Sequence, residues 1–308
     1  MNVHRALGRV AVIVLGIGVA STYIGGQPAP VHLNPVIAKL ARGETVYGLI
    51  NPGDLSLANA REMARAPVDF VYADMEHNPM DFAGLNLFLL GMGDKETILK
   101  KGNLQPNVAL MARFPPEADQ SQWVVKQALD IGLMGVIFNG VDSKEQALAA
   151  VRSMRYPKLK GAPYQEPSGI RGFAPANALW AWGLSQAEYE RRADVWPLNP
   201  DGDLLAVVMI ESAAGLEHVD EIAAVPGVGA LFVGAGSDLS RSMGVAQPSP
   251  ELESAFARIL KACTSRNVAC AISAPTATDI ARRVKEGWRI IRSTVPAITQ
   301  ARAAAGPR

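Results

Sequence analysis

The chain has 308 residues, of which 49% are hydrophobic and 19% are charged, and its formal net charge at pH 7 is +1. This near-neutral balance, without a run of basic residues, predicts no nucleic-acid partner. The length allows one large domain or two small ones. The abundance of Ala, Val, Leu, Ile and Gly favours helices packed on a parallel sheet over a β-sandwich.

Residues 1–20 have the pattern of a secretory signal peptide, because two arginines precede the apolar run Val10–Ala20 and small residues close it. The apolar run is shorter than the roughly 20 residues of a membrane span, so no stable membrane insertion is expected beyond this segment. An uncleaved N-terminal membrane anchor is the alternative. Residues 21–33 are interpreted as a leader and 34–308 as a single domain. The sequence therefore predicts an exported protein, periplasmic or secreted.

The two cysteines, Cys263 and Cys270, are open to two interpretations. Export permits a disulfide between them, whereas a buried free thiol at each position fits equally well. No second pair of Cys or His residues accompanies them, so they do not indicate a metal site.

Beyond the leader, short apolar runs alternate with segments of helical periodicity. The domain opens with a short capped helix over Asn34–Arg42, because Asn followed by Pro favours a helix start. Eight strand-like runs separated by helices predict a (β/α)8 TIM barrel, with an open doubly wound sheet as the competitor. The absence of G-x-G-x-x-G after the first run weakens a dinucleotide-binding form of that competitor. The predicted strands are Thr45–Ile50, Asp69–Ala73, Asn107–Ala112, Met134–Phe138, Leu204–Ile210, Ala230–Val233, Val268–Ile272 and Trp288–Ile291.

Two connections are long for a compact domain, Gly91–Pro106 and Tyr156–Gly202. Connections of this length are usually functional lids or contacts between subunits. We therefore expect one of these roles for each.

Polar residues follow four of the predicted strands. The second strand ends in Asp74–His77, the third in Arg113 and the fifth in Glu211, and the sixth runs into Gly234–Asp238. In a (β/α)8 barrel the C-terminal ends of the strands meet at one mouth, where catalytic residues lie. The convergence of carboxylates, an imidazole and a guanidinium at one mouth predicts an active site there.

Each group has a chemical role that suits its type. Glu211 and Asp238, from separate strands, suit a hard divalent cation, Mg²⁺ or Mn²⁺. Arg113 offers a planar fork to a carboxylate or to an enolate oxygen. His77 is the natural proton carrier near neutral pH, and Asp74 is placed to orient it.

Structural roles for the same residues remain open alternatives. Arg113 could form an ordinary ion pair with Asp74 or Glu76. Glu211 could cap the helix that follows it, a common role of acids at helix starts, and Asp238 could be an N-cap.

The segments that carry these residues resemble the HpcH/HpaI aldolase family of metal-dependent class II pyruvate aldolases. The resemblance covers about 34–294 and lies in several motifs in the same order along the chain. These are Asp74–Asp81 for D-x-E-H-x-P-x-D, Arg113–Pro115 for V-R-x-P, Arg155–Pro157 with Gly169–Gly172 for R-Y-P and G-x-R-G, Ile210–Ser212 for I-E-[ST], and Phe232–Ser240 for F-[IV]-G-P-x-D-L-S.

The resemblance implies a (β/α)8 barrel and a homo-oligomer, a trimer or hexamer. It implies a divalent metal, Mg²⁺ or Mn²⁺ with Co²⁺ as a further option, held by Glu211 and Asp238. It implies that His77, paired with Asp74, is the acid and base, acting through a metal-bound water, and that Arg113 stabilises the enolate. Substrate-binding residues are then Arg113 together with the backbone at Gly236, Ser237 and Asp238.

The implied reaction is the reversible cleavage of a 4-hydroxy-2-oxo acid to pyruvate, or a related 2-oxo acid, and an aldehyde. Alternatives are an acyl-CoA lyase similar to citrate lyase β or malyl-CoA lyase, and an exported barrel that binds a keto acid without catalysis. Two departures from the family pattern bear on this choice: Met209 stands where Gln is usual, and the Gly234–Asp238 loop is one residue longer and lacks Pro.

Overall fold

The computed structural model describes residues 32–115 and 122–305 of the chain. Eight parallel strands close into a barrel in the order β1-β2-β3-β4-β6-β7-β8-β9, with β9 paired to β1 and β4 paired to β6. A ninth, two-residue strand, β5, pairs with the first residues of β6. The strands are β1 Val46–Asn51, β2 Phe70–Asp74, β3 Ala109–Phe114, β4 Gly135–Phe138, β5 Val195–Trp196, β6 Leu204–Met209, β7 Ala230–Phe232, β8 Ala269–Ser273 and β9 Ile290–Arg292.

Each of the eight predicted runs overlaps one barrel strand, so the predicted (β/α)8 architecture is confirmed. The predicted signal segment, 1–20, and most of the leader lie outside the described residues. His32 and Leu33, which were assigned to the leader, are both buried, with Leu33 in the hydrophobic core. No helix in the described part of the chain has both the length and the apolar composition needed to cross a bilayer.

Helices surround the barrel, and their starts follow local sequence signals. Asn34 caps α1 by accepting a hydrogen bond from the backbone N–H of Val36, and Ser143 and Ser249 cap α6 and α12 in the same manner. The helices are α1 Pro35–Leu40, α2 Leu57–Met63, α3 Phe82–Gly91, α4 Lys95–Lys101, α5 Gln122–Ile131, α6 Lys144–Met154, α7 Ala176–Trp182, α8 Gln186–Arg192, α9 Ala213–Glu217, α10 Val219–Ala223, α11 Ser237–Met243, α12 Pro250–Arg266, α13 Ala277–Glu286 and α14 Val295–Ala305.

Strand register determines which side chains face the inside of the barrel. Tyr72 of β2 and Phe232 of β7 lie on opposite sides of the barrel, and their ring centroids are 6.5 Å apart, so both point inward. Side chains alternate along a strand, and in-register partners of parallel strands share a face. Asp74 and its partner Arg113 therefore face inward, as does Met209, the partner of Phe232.

The two long connections, predicted to be lids or contacts between subunits, contain packed secondary structure. Gly91–Pro106 includes α4, and Tyr156–Gly202 includes α7, α8 and β5. Both join a helix to the strand that follows it, so both return the chain to the end of the barrel opposite the catalytic mouth. Trp182 of α7 is buried, and its indole N–H donates to the carbonyl of Gly132 at 2.7 Å.

Cys263 and Cys270 form a disulfide, with their Cα atoms 5.8 Å apart. The bond joins the last turn of α12 to β8. Of the two interpretations of these cysteines, the disulfide is the one observed.

Candidate active site

Arg113 lies at the centre of an ion-pair network at the mouth of the barrel. Its Nε and Nη2 atoms donate to the two carboxylate oxygens of Asp74 at 3.0 and 2.8 Å. Its Nη1 lies 2.9 Å from Oε2 of Glu76, an oxygen that is buried and accepts no hydrogen bond of good geometry. The bidentate contact fixes the plane of the guanidinium. The ion pair that was the structural alternative for Arg113 is thus present, with both carboxylates.

The sequence predicts that His77 pairs with Asp74. In the structure His77 pairs with Glu76 instead. Its Nε2 lies 3.4 Å from Oε2 of Glu76, and 67% of its side chain is exposed. Both oxygens of Asp74 accept from Arg113, and its Oδ1 also accepts from the backbone N–H of Glu76 at 3.2 Å. Glu76 therefore links His77 to Arg113, whereas Asp74 bonds the guanidinium of Arg113 and the backbone N–H of Glu76.

Glu211 follows β6 and turns into the mouth. Its Oε1 accepts a hydrogen bond from the backbone N–H of Gly140, in the loop after β4, at 2.8 Å. Burial raises the pKa of Glu211, and the negative charges of Glu76 and Asp238 raise it further, while the Gly140 N–H and Arg113 act in the opposite direction. Ser212, and not Glu211, caps α9, so the capping alternative for Glu211 is wrong.

The loop after β7 brings Asp238 to the same mouth. Gly234 and Gly236 have φ angles of +64° and +81°, a region that favours glycine. A Cβ at Gly236 would lie 2.6 Å from the ring of Phe256, so this turn admits no side chain there. Gly236 is the N-cap of α11, whose first turn has no side-chain cap. Asp238 lies in that first turn, so its N-cap alternative is wrong.

A divalent cation fits the donor set, although the described residues assemble no closed site. Among residues 32–115 and 122–305, no group of three or more His, Cys, Asp and Glu side chains is gathered for metal binding. Two carboxylates with the other positions left to water and substrate are what Mg²⁺ accepts. The mutual repulsion of Glu211, Glu76 and Asp238 is the electrostatic condition that a cation relieves.

Comparisons with known proteins identify the family. The family model for HpcH/HpaI aldolase/citrate lyase matches residues 55–295. The chain belongs to this family. It is 34% identical over 268 residues to a hydroxypyruvate/pyruvate aldolase of Delftia acidovorans, covering 84% of this chain and 85% of the relative. It is 30% identical over 266 residues to the enzyme of that name from Paraburkholderia phytofirmans, covering 84% and 90%.

A solved HpcH/HpaI aldolase/citrate lyase family protein from Burkholderia cenocepacia superposes with a TM-score of 0.69 at 29% identity, covering 88% of this chain and 97% of that one. The predicted family and the predicted enzyme class, a carbon–carbon lyase of the aldolase type, are confirmed.

Met209, which stands where the family usually has Gln, is buried inside the barrel beside the altered loop after β7. Met209 is 3% exposed and faces the barrel interior one strand from the altered loop. Its Cε lies 2.9 Å from the place where a Cβ at Gly234 would be. The thioether thus packs against the backbone of the lengthened loop.

The sequence interpretation missed two inward-facing polar residues at the mouth, Ser273 and Arg292. They end β8 and β9 and are in register with each other. The predicted runs stopped at Ile272 and Ile291, one residue short of each. The criterion applied to the other strands, a polar residue at the strand end, would have found both.

Proposed function

We propose that this protein reversibly cleaves a 4-hydroxy-2-oxo acid to pyruvate, or a related 2-oxo acid, and an aldehyde, with Mg²⁺ or Mn²⁺ bound by Glu211 and Asp238. The observation that carries the proposal is the geometry of the mouth, where Asp74 and Glu76 hold the guanidinium of Arg113 and Glu211 accepts from the backbone N–H of Gly140. A bound divalent cation would supply Lewis-acid stabilisation of the negative charge that develops on the keto oxygen.

The protein's own residues would perform the remaining steps. Asp74 holds the guanidinium of Arg113 in one plane, so that Arg113 meets the developing oxyanion without reorganisation. Glu76 orients His77, which moves the proton of the 4-hydroxyl group. The uncapped backbone N–H groups at Ser237 and Asp238 suit the substrate carboxylate.

The test is aldol turnover by the purified protein with Mg²⁺ or Mn²⁺, pyruvate and a panel of aldehydes. We expect product with the wild type and a loss of about 100-fold or more in His77→Ala, in line with the contribution of a general base. Glu211→Ala should lose activity and metal affinity together. His218→Ala, an exposed histidine outside the cluster, is the matched control. Wild-type protein that turns over no aldehyde with any metal would contradict the proposal.

The alternative function, an acyl-CoA lyase, is tested in the same assay with acetyl-CoA and glyoxylate in place of pyruvate and aldehyde. Export argues against it, because CoA is an intracellular carrier. We also propose that the chain is exported after cleavage of residues 1–20, supported by the Cys263–Cys270 disulfide, a bond typical of oxidising compartments. The oligomeric state, a trimer or hexamer, stays a prediction. Size-exclusion chromatography with light scattering tests it.

A further inference from the structure

Arg292 and Ser273 lie inside the barrel mouth with unused polar atoms. The register of β8 and β9 pairs the two residues, and both face inward because Ser273 lies two residues beyond Ala271, the partner of Phe232. Nε of Arg292 and Oγ of Ser273 are sealed from solvent and make no hydrogen bond to any residue of 32–115 or 122–305. Buried polar atoms of this kind cost free energy until a partner bonds them, so they mark a place that a bound group completes.

No carboxylate in the described part of the chain forms an ion pair with Arg292. In the described residues, Arg113 is paired with Asp74 and Glu76, whereas Arg292 has no carboxylate partner. The phenol of Tyr72 lies beside the guanidinium of Arg292. Burial raises the pKa of Tyr72, and the charge of Arg292 and a hydrogen bond with it act in the opposite direction. A neutral phenol satisfies part of the guanidinium and leaves its charge available.

A cavity of about 480 Å³ opens beside these two residues, between the loop after β7 and helices α12 and α13. Two other arginines line it, but both are committed to Glu253. Arg283 donates to both carboxylate oxygens of Glu253 at 2.7 and 2.8 Å, and Arg282 donates to one of them at 3.3 Å. Among the described residues that line the cavity, Arg292 is thus the arginine without a counter-ion.

We propose that Arg292 and Ser273 form a subsite for an oxyanion on the aldehyde half of the substrate. The inference rests on the proposed function, in which Glu211, Asp238 and Arg113 engage the 2-oxo acid half. The other half then extends toward a different part of the mouth. A guanidinium fork matches a carboxylate or a phosphate in bidentate geometry, and the Ser273 hydroxyl adds a donor beside it.

A purely structural role for Arg292 makes a different prediction. If its charge only balances the carboxylates of the barrel or supports Tyr72, its loss affects every aldehyde equally. A subsite affects anionic aldehydes selectively. The comparison of charged and neutral aldehydes of similar size therefore separates the two roles.

The experiment measures kcat/KM for two matched pairs, 4-oxobutanoate against butanal and glyceraldehyde 3-phosphate against glyceraldehyde. We expect Arg292→Gln to lower kcat/KM for a charged aldehyde by about 10- to 100-fold, as expected for the loss of a charge-assisted hydrogen bond. The neutral aldehydes should change by less than about 3-fold, the scale of a distant substitution. The pair that responds identifies carboxylate or phosphate as the oxyanion. Arg289→Gln, an exposed arginine just before the same strand, is the matched control.

Equal losses for charged and neutral aldehydes, or no loss for either charged one, would overturn the subsite. If Arg292→Gln does not fold, Arg292→Lys and Ser273→Ala replace it, and the same selectivity for charged aldehydes is required. If the wild type turns over no aldehyde, the proposed function fails and calorimetry decides the subsite separately. Binding of succinate or inorganic phosphate that is lost in Arg292→Gln supports it, and no binding by the wild type overturns it.

Discussion

Asp74 and Glu76 lie two residues apart where β2 ends, and their side chains make different contacts. Asp74 is buried and gives both oxygens to Arg113, whereas Glu76 is half-buried and reaches both Arg113 and His77. The difference follows from position: Asp74 is the last residue of β2 and in register with Arg113, while Glu76 is already in the loop. One carboxylate therefore fixes the guanidinium and the other couples it to the imidazole.

Removing the charge of Asp74 should destabilise the fold as well as the site. Asp74→Asn leaves the buried cation Arg113 without its bidentate partner, and breaking such a pair costs about 3 kcal/mol. Urea denaturation of the metal-free protein measures this loss. Glu217→Gln, at an exposed position, should stay within about 0.5 kcal/mol of the wild type. Equal stability of Asp74→Asn and wild type would show that the ion pair contributes nothing net.

The residues of the candidate site were predictable from the sequence, but their partners were not. Asp74, Arg113 and Glu211 stand out because ionisable residues at the ends of apolar runs are costly inside a core. The pairing of side chains depends on strand register and rotamer, which periodicity does not encode. For this reason the sequence assigned His77 to Asp74, whereas in the structure it contacts Glu76. Arg292 was missed because the last apolar run was ended one residue too early.

At the scale of elements, α11 is bounded by glycines at both ends, and the two differ in the space around them. Gly236 and Gly244 both have left-handed φ angles, +81° and +68°. A Cβ at Gly236 would meet the ring of Phe256 at 2.6 Å, whereas a Cβ at Gly244 would meet nothing within 4 Å. Backbone strain is thus common to both positions, and a steric clash belongs to Gly236 alone.

The matched substitutions separate these effects. Gly244→Ala should cost about 1 kcal/mol, the strain of a left-handed L-residue. Gly236→Ala should cost about 1–3 kcal/mol more, because its methyl group must displace a buried ring. It should also lower aldol turnover, since Gly236 positions Ser237 and Asp238, while Gly244→Ala should not. Thermal unfolding and the pyruvate assay measure both. Equal costs at the two positions would contradict the clash.

The connection between α6 and β6 is held by a buried acid. Asp194 is bonded by Arg155 and Lys158, each at 2.6 Å. Burial raises the pKa of Asp194, but the hydrogen bonds and charges of these two cations outweigh it and hold the pKa below its usual value of 3.8. A carboxyl whose pKa is lowered by folding stabilises the native state above its unfolded pKa, and this contribution is lost as the pH falls through the folded pKa.

Stability should therefore depend on Asp194 in a pH-dependent manner. Asp194→Asn should lower the free energy of unfolding by about 3 kcal/mol at pH 7, because the buried Arg155 and the partly buried Lys158 lose their counter-ion. The gap between variant and wild type should narrow as the pH falls below 3.8, where the wild-type carboxyl gains its proton. Urea denaturation at pH 7, 4 and 3 tests this, with the exposed Asp201→Asn as control. A gap that is constant with pH would contradict the assignment.

The helices of the barrel were easier to predict from the sequence than the helices inside the long connections. The segment of helical periodicity over Lys144–Met154 coincides with α6, because Ser143 provides a clear cap and the apolar spacing is regular. In Tyr156–Gly202, α7 begins after Pro175 without a side-chain cap and is seven residues long. A helix this short depends on tertiary packing for its stability. The local pattern does not show that Trp182 of this helix is buried, with its ring against Tyr189 of α8 and its N–H bonded to Gly132.

At the scale of the whole molecule, one disulfide bond crosses between a helix and a strand of the barrel. Cys263 and Cys270 are both buried, so solvent does not reach them once the disulfide has closed. The bond joins α12 to β8, the strand that ends in Ser273. The disulfide thus anchors one wall of the cavity beside Arg292. A cytoplasmic enzyme would be kept reduced and would lack this constraint.

Export and the disulfide can be tested together in the full chain expressed in a bacterial host. We expect the mature protein in the periplasm, with Ser21 at its N-terminus and no thiol that reacts after denaturation. Leu15→Arg places a charge in the apolar run of 10–20, so it should keep the chain in the cytoplasm with both cysteines reduced. Reduction should cost about 2 kcal/mol, the entropy of the short closed loop, and the Cys263→Ala/Cys270→Ala double variant should match the reduced protein. Wild-type chain found in the cytoplasm with two free thiols would overturn export, and aldol activity of that protein would show that the chemistry of the mouth is independent of its destination.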